Sequence, residues 1–193
     1  MSAEIMRLLE NMIRVGVISD VDLKNWRVRV ASGRLTTDWL RWNCTRAGVF
    51  KIWLPPSRGE QVLLLCPGGN PEMAMVVGSL YSTDNPAPGT QQDEVIITAR
   101  DGARLRYNAK EGALDATGIK TARVTAETRI TLETPLVECT QHLKTRTFEL
   151  TDGGTLKGDV THSGGSLTSN GVVTHTHTHS GVQSGGSQTG GPQ

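Results

Sequence analysis

Five apolar residues near the N-terminus recur at helical spacing: Ile5, Leu8, Leu9, Met12 and Ile13. This period predicts a short helix with one apolar stripe over residues 1–14. The stripe either packs on the domain that follows or contacts a partner subunit, and the sequence favours neither alternative.

Residues 15–81, within a predicted domain of residues 15–90, alternate between apolar and polar side chains in short runs, which is the period of a half-buried strand. The predicted strands are separated by turn-forming residues and cover 14–20, 26–31, 36–42, 47–54, 60–66 and 72–81. Several short strands at this spacing fit a small closed barrel such as an OB-fold. A linker rich in turn formers follows at residues 82–93.

All four tryptophans lie in the predicted barrel: Trp26, Trp39, Trp42 and Trp53. OB barrels often bind oligonucleotides or sugars, so these rings are either a stacking platform or part of the core. No basic cluster surrounds them, and the net charge of the chain is only +1. We therefore expect no nucleic-acid partner, and an OB-fold binding module for glycan or nucleic acid is the second-ranked function.

Large apolar side chains become rare after the linker, since the only aromatic residue beyond Tyr107 is Phe148. Such a segment cannot fill an ordinary globular core, so it is either disordered or a fibre in which several chains share a thin core. From Lys120 to Leu136 the even positions are mostly small or β-branched, and the odd positions are polar. This alternation is typical of strands and argues against a disordered Thr/Gly tail.

At Leu136–Val137 the apolar residues move from the even to the odd positions, and a second shift comes by residues 148–150. Glycines then recur at short intervals along the chain. Such shifts mark bulges or corners between consecutive strands, which is typical of a β-helix. Three chains wound around a three-fold axis would bury each narrow stripe and pair each edge. The sequence therefore predicts a homotrimer with an intertwined triple-stranded β-helix shaft over residues 91–172.

Three histidines alternate with threonines in the predicted apex, residues 173–193: they are His175, His177 and His179. Alternate positions of a strand face the same side, so these side chains would continue the inward face of Val173. On a three-fold axis, two such positions supply six imidazole nitrogens, an octahedral set that favours Fe(II), Ni(II) or Co(II) over zinc. His177 and His179 are the preferred ligands because they adjoin the turn at Ser180–Gly181. His175 would form a further ring just inside the site.

Other features of the chain restrict its function. His142 and His162 are isolated and are interpreted as structural or surface residues. Beyond Asp159 there is no Asp, Glu, Lys or Arg. That suits an apex that enters a bilayer, where each charge costs about 2.5–3.5 kcal/mol. Six protein ligands leave no open coordination position, and no nucleophile or paired-carboxylate motif stands out, so we expect no enzymatic activity.

The cysteines and the N-terminal segment indicate where the protein is made. Cys44, Cys66 and Cys139 are widely spaced and odd in number, so we expect free, mostly buried thiols. No apolar run is long enough for a signal peptide or a membrane span, so we expect synthesis in the cytoplasm.

Eight segments, in order along the chain, together resemble baseplate assembly protein V, the central spike of contractile tails in temperate phages and R-type bacteriocins. They are NMIRVGVISDVDL, TDWLRW, RGEQVLLL, SLYSTDNPAP, DGARLRY, GIKTARVTA, LETPLVECT and LTSNGVVTHTHTH. The resemblance implies an N-terminal OB domain, a triple-stranded β-helix, and a pointed apex with an iron ion held by an HxH motif from each of three chains. It places that motif at His177 and His179. Because this chain has HxHxH, His175 and His177 are the alternative register.

The resemblance also implies a structural, non-enzymatic role. The homotrimer would sit at the tip of the tail tube, attached to hub proteins of the baseplate, and would pierce the outer membrane of a target bacterium when the sheath contracts. It would be made in the host bacterial cytoplasm without a signal peptide and carried in a virion or bacteriocin particle. The sequence leaves open whether further ions lie inside the shaft.

Overall fold

The computed structural model describes residues 2–181 and 185–186. The chain divides into two units, residues 1–127 and 128–193. Apart from one α-helix and two short 3-10 turns, the regular elements of the described residues are strands, so the predicted all-β class is confirmed. The predicted apex range, 173–193, is described up to Gly181 and at 185–186, and its remaining residues lie outside the described part.

The predicted N-terminal helix is confirmed as α1, Ala3–Asn11. Ser2 caps it, because its hydroxyl accepts a hydrogen bond from the amide of Ile5 at 3.4 Å. Helical structure ends before residue 14 because the carbonyl of Met12 accepts a bond of 2.7 Å from the amide of Cys66, which draws the chain into the barrel. No helix among the described residues is long and apolar enough to span a membrane.

The predicted barrel is confirmed as a closed ring of strands that runs from Ile13 to Leu80. Its strands are β1 Ile13–Asp22, β2 Arg27–Ser32, β3 Leu35–Thr36, β4 Leu40–Trp42, β5 Gln61–Leu65 and β6 Met75–Leu80. Around the ring the order is β1–β5–β6–β4–β2, and β2 pairs back with β1, while β3 extends β2 as a short hairpin. The β4–β6 pair is parallel and the other pairs are antiparallel. Ring closure removes the exposed edges that an open sheet would have.

The core of the barrel is built from alternate residues of these strands and from two residues that adjoin strand ends. Its buried apolar side chains are Ile18, Val28, Val30, Leu40, Val62, Leu64, Cys66, Ala74 and Val76. Gly16 allows β1 to approach β2 closely, since a Cβ there would overlap the side chain of Val30. Of the three free cysteines, only Cys66 is buried, so the expectation of mostly buried thiols is wrong for Cys44 and Cys139. Burial raises the pKa of the Cys66 thiol.

The strand predicted at residues 47–54 is wrong. The pairing within that range, all of which is described, is a single bridge between Ala47 and Lys51. The preceding strand β4 already pairs with β2 on one side and β6 on the other, so the ring offers no edge to this segment. The segment therefore projects as a loop, with Val49 97% and Phe50 81% exposed.

Residues 82–93 contain no strand, as the linker prediction requires, and a three-stranded antiparallel sheet follows. Its strands are β7 Glu94–Thr98, β8 Arg104–Asn108 and β9 Ala113–Thr117. Gly102 and Gly112 adopt positive φ in the two turns, which lets the chain return on itself. This first part of the predicted shaft range, 91–172, is thus a sheet formed within one chain, which we call the meander.

Beyond the meander the chain is extended and unpaired. In the described chain, no main-chain hydrogen bond joins two residues within 119–166. Its large apolar side chains are exposed: Ile119, Val124, Ile130, Leu132, Leu136, Val137, Leu143, Phe148, Leu150, Leu156 and Val160. Unpaired main-chain groups and exposed apolar stripes are both costly, so this segment requires neighbouring chains.

Replacing Gly69 by Ala is expected to loosen α1 from the barrel. A Cβ at Gly69 would overlap the backbone of Leu8, whereas a Cβ at Gly68 would meet no atom within 4 Å. Both glycines have positive φ, so alanine at either costs about 1–2 kcal/mol of backbone strain. Hydrogen exchange should show residues 3–11 less protected in Gly69→Ala but unchanged in the control Gly68→Ala. Equal protection in both variants would contradict this account of the contact.

Candidate metal centre at the apex

A short hairpin leads into the histidines. Strands β10, Thr168–Ser169, and β11, Val172–Val173, are antiparallel and joined by a two-residue turn. Both turn residues, Asn170 and Gly171, have positive φ, which is the requirement of the Asn-Gly type I′ turn. The Asn-Gly pair is therefore a sequence signal for this hairpin. From the sequence, only its glycine was interpreted, as one of several glycines that interrupt the strands.

The extended strand predicted to run through all three histidines ends at Val173. The carbonyl of Val173 accepts bonds from the amides of Thr176 at 3.3 Å and His177 at 3.1 Å, which closes a turn over residues 174–176. His175 lies within this turn, and His177 and His179 follow it. The expectation that His175 shares one straight inward face with the other two is therefore wrong in this chain, because the turn interrupts the two-residue period.

The structure brings His177 and His179 together. Their ring centroids lie 5.0 Å apart with the planes at 80°. The Nδ1 atom of His177 lies 2.7 Å from the carbonyl oxygen of Thr174. A carbonyl oxygen can only accept, so Nδ1 carries the hydrogen and the lone pair of Nε2 is left free for a metal ion. Orientation of a ligating imidazole by a backbone carbonyl is the usual arrangement in protein metal sites.

One chain supplies only part of a metal site. Among residues 2–181 and 185–186, no three His, Cys, Asp or Glu side chains converge where a metal ion could bind. His142 and His162 are exposed and lie in the extended segment, in agreement with their interpretation as isolated residues. A six-nitrogen site would therefore have to combine the His177–His179 pair with the same pair from other chains.

The contribution of Thr174 was not predicted from the sequence. Threonines alternate with the histidines, but the atom that orients His177 is a main-chain carbonyl, which every residue has. Its position is decided by the turn, and the hydroxyl of Thr174 supports that turn by donating a bond of 3.0 Å to the carbonyl of Leu167.

Three family models match consecutive parts of the chain. A type VI secretion system/phage-baseplate injector OB domain matches residues 14–81, a phage spike trimer matches 118–170, and a GpV apex motif matches 171–193. The Spike protein of Escherichia phage P2 is 46% identical over 204 residues, which cover 98% of this chain and 96% of that relative. The chain belongs to the phage spike family.

Membership of the phage spike family agrees with the fold described above. The OB match covers the closed barrel, and the spike-trimer match begins at residue 118, directly after β9 ends at Thr117. It also supports the predicted homotrimer, since the segment matched as a spike trimer is the one left unpaired in a single chain. The choice of His177 and His179 as ligands, and of iron as the metal, stays a prediction.

Proposed function

We propose that this protein is the central spike at the tip of a contractile tail, which sheath contraction drives through the outer membrane of a target bacterium. The observation that carries the proposal is the extended segment 119–166, which has no hydrogen bond between two of its own main-chain groups and exposes its apolar side chains in a single chain. Its match to a phage spike trimer and the similarity to the Spike protein of phage P2 support a structural role in the virion tail.

The shaft of such a spike must resist bending. When three chains pair along the segment 119–166, main-chain hydrogen bonds run between the chains at every level, and a bend would have to break several of them together. The apolar stripe of each chain, which includes Ile130 and Leu132, would face the axis and exclude water from those bonds. The role is mechanical, and we propose no catalytic activity.

The apex is proposed to be clamped by one iron ion. His177 and His179 of the three chains would supply six imidazole nitrogens, and the Thr174 carbonyl holds His177 in the tautomer that frees Nε2. A bound metal ion supplies bonds that join three chain ends, where fraying is otherwise easiest. The register His175–His177 is disfavoured because the turn over 174–176 separates those residues. The absence of charged residues beyond Asp159 suits entry into a bilayer.

The barrel end of the spike is proposed to attach to hub proteins of the baseplate. The OB match is to a baseplate injector domain, and the loop over residues 47–54 exposes Val49, Phe50, Trp53 and Leu54. Exposed apolar clusters of this kind mark protein contacts. The protein would be made in the host bacterial cytoplasm and assembled into the particle there.

One groove bears on the alternative function of glycan or nucleic-acid binding. Trp26, Trp42 and Trp53 line it together with Arg46 and Lys51. The rings of Trp42 and Trp53 are 6.1 Å apart but tilted by 55°, so they do not form a flat shared platform for a base or sugar ring. Trp39 is covered instead by the guanidinium of Arg29, 5.0 Å from the ring centre. We therefore favour a protein contact at this end.

Replacing His177 and His179 together by Ala is expected to remove the metal. Elemental analysis combined with molar mass in solution should give one iron ion per three chains for the parent protein and none for the double variant. His175→Ala is the matched control and should keep its iron, because that residue lies in the turn. Iron retained by the double variant, or lost from His175→Ala, would refute the ligand assignment.

Replacing Ile130 by Asp is expected to destabilise the trimer strongly. Three carboxylates would be brought to the axis, and burying an unpaired charge costs several kcal/mol per ion. Thr131→Asp, on the opposite face of the same segment, should leave the melting temperature and trimer mass close to those of the parent. Similar behaviour of the two variants would show that the alternation does not set the inward face.

Replacing Phe50 by Ser is expected to reduce incorporation of the spike into particles without changing its trimer mass. Phe50 projects from the loop and is 81% exposed in its own chain, so its loss should affect mainly a partner contact. Leu23→Ser, an exposed apolar residue in the β1–β2 turn, serves as the control. Normal incorporation of Phe50→Ser, measured by immunoblot of purified particles, would argue against this loop as the hub contact.

A further inference from the structure

A groove on the outside of the barrel lies where the parallel strands β4 and β6 meet. The strand register places Arg27 of β2 directly opposite Arg41 of β4, and Arg41 opposite Met75 of β6. The groove has a volume of about 650 Å³. We call it the arginine groove, and the residues that line it include Arg27, Trp39, Arg41, Trp42, Met73 and Met75. Like charges directly opposite each other on paired strands destabilise a sheet, so the packing of the barrel does not account for this arginine pair.

The carboxylates near the arginine groove do not neutralise it. The carboxylate of Asp22, which lies opposite Arg27 on β1, accepts three hydrogen bonds from the turn that follows β1. Within residues 2–181, neither Arg27 nor Arg41 forms an ion pair, not even with Glu72, which lines the groove. Arg27 donates a bond of 3.1 Å to the carbonyl of Trp39, which holds its guanidinium in place and leaves further N–H groups free.

The side chains of the arginine groove indicate the chemistry of its occupant. A guanidinium can donate two parallel hydrogen bonds to a carboxylate or to a phosphate, so two neighbouring guanidinium groups suit an oxygen anion. Beside them lie the side chains of Met73, which is 62% exposed, and Met75, which is 42% exposed. Methionine is flexible and adapts to the shape of an apolar partner. The occupant should therefore carry an anionic group next to apolar side chains.

The aromatic rings near the groove favour a protein carboxylate over a nucleic-acid phosphate. One face of Trp39 is covered by the guanidinium of Arg29, which is itself paired with Asp38 at 3.3 Å. The rings of Trp42 and Trp53 are tilted by 55° to each other. Successive bases of a nucleic acid stack on open ring faces, which this arrangement does not offer. A peptide that combines acidic and apolar residues needs no such faces.

The position of the arginine groove on the barrel indicates which protein supplies the peptide. Trp42 lines both this groove and the neighbouring groove at the loop over residues 47–54, where the hub contact is proposed. The neighbouring groove adds Arg46 and Lys51, so the fold gathers basic side chains around Trp42 that are dispersed in the sequence. The expectation that no basic cluster surrounds the tryptophans is therefore wrong for the folded barrel. A basic surface of this kind attracts an acidic partner.

We propose that the arginine groove binds an acidic, apolar peptide segment of a baseplate hub protein. A carboxylate of that segment would lie between Arg27 and Arg41 and remove the repulsion between them, and an adjacent apolar side chain would pack on Met73 and Met75. The inference rests on the proposed attachment of the barrel to the hub, and it adds the place on the barrel and the chemistry of the partner.

Replacing Arg41 by Gln in the full chain tests the inference, with Arg34→Gln as the control. Arg34 is an exposed arginine of the β2–β3 turn and does not line the groove. Loss of one of two like charges should leave the melting temperature of the purified trimer unchanged or raise it. Incorporation into particles should fall by about tenfold or more, because a carboxylate in the interface loses its partner. Arg34→Gln should change neither quantity.

A cross-link identifies the occupant. Arg41→Lys keeps the positive charge, so it should be incorporated better than Arg41→Gln, and it places an amine in the groove. A zero-length carbodiimide joins an amine to a carboxylate in contact with it. In purified particles, mass spectrometry should find this amine joined to an acidic peptide of a hub protein, whereas Arg34→Lys should give no such product. A cross-link to a second copy of the spike, or none, would overturn the inference.

The remaining outcomes separate this inference from the spike function. Normal incorporation of Arg41→Gln would overturn the inference and leave the spike function standing. A lower melting temperature of that variant would also overturn it, because the arginine would then stabilise the barrel. If the parent protein binds a single-stranded oligonucleotide and Arg41→Gln does not, the groove belongs to nucleic acid and the inference is wrong. Absence of the parent protein from purified particles would contradict the proposed function itself.

Discussion

The unpaired main chain of residues 119–166 is the constraint on which the rest of this structure depends. An extended segment without hydrogen bonds between its own main-chain groups is stable only when other strands satisfy its amide and carbonyl groups. Its side chains are too few and too small to fold back into a core of their own, so the partners must be further chains. The homotrimer follows from this requirement, and the proposed stiffness of the shaft and the proposed metal site at its end depend on it.

The N-terminal and C-terminal parts of the chain satisfy the hydrogen-bonding groups at their strand edges in different ways. The N-terminal barrel closes into a ring, and the meander turns back on itself at Gly102 and Gly112, so both pair their strands within one chain. The shaft cannot do so and depends on its neighbours. Between them, the meander satisfies its main-chain groups within one chain, but side chains such as Val95 and Leu114 on one of its faces are exposed.

The apex shows how a local turn selects among equivalent residues. His175, His177 and His179 are indistinguishable as a pattern, yet the turn after Val173 separates the first from the other two. It also brings the Thr174 carbonyl to His177, where it decides which ring nitrogen is free. A metal ion held by such pairs from three chains would join chain ends that have no charged residue to pair with one another.

Local patterns in the sequence determined the helix, most strands of the barrel, the alternating shaft and the row of three histidines, because periodicity and turn residues act over a few positions. They failed at residues 47–54, where an apolar run resembles a strand but the closed ring offers it no edge. The local patterns also did not indicate that the strands of residues 94–117 pair within one chain, or that a turn separates His175 from His177 and His179. Only the tertiary structure decided these points, because they depend on which distant main-chain group is free to accept or donate a hydrogen bond.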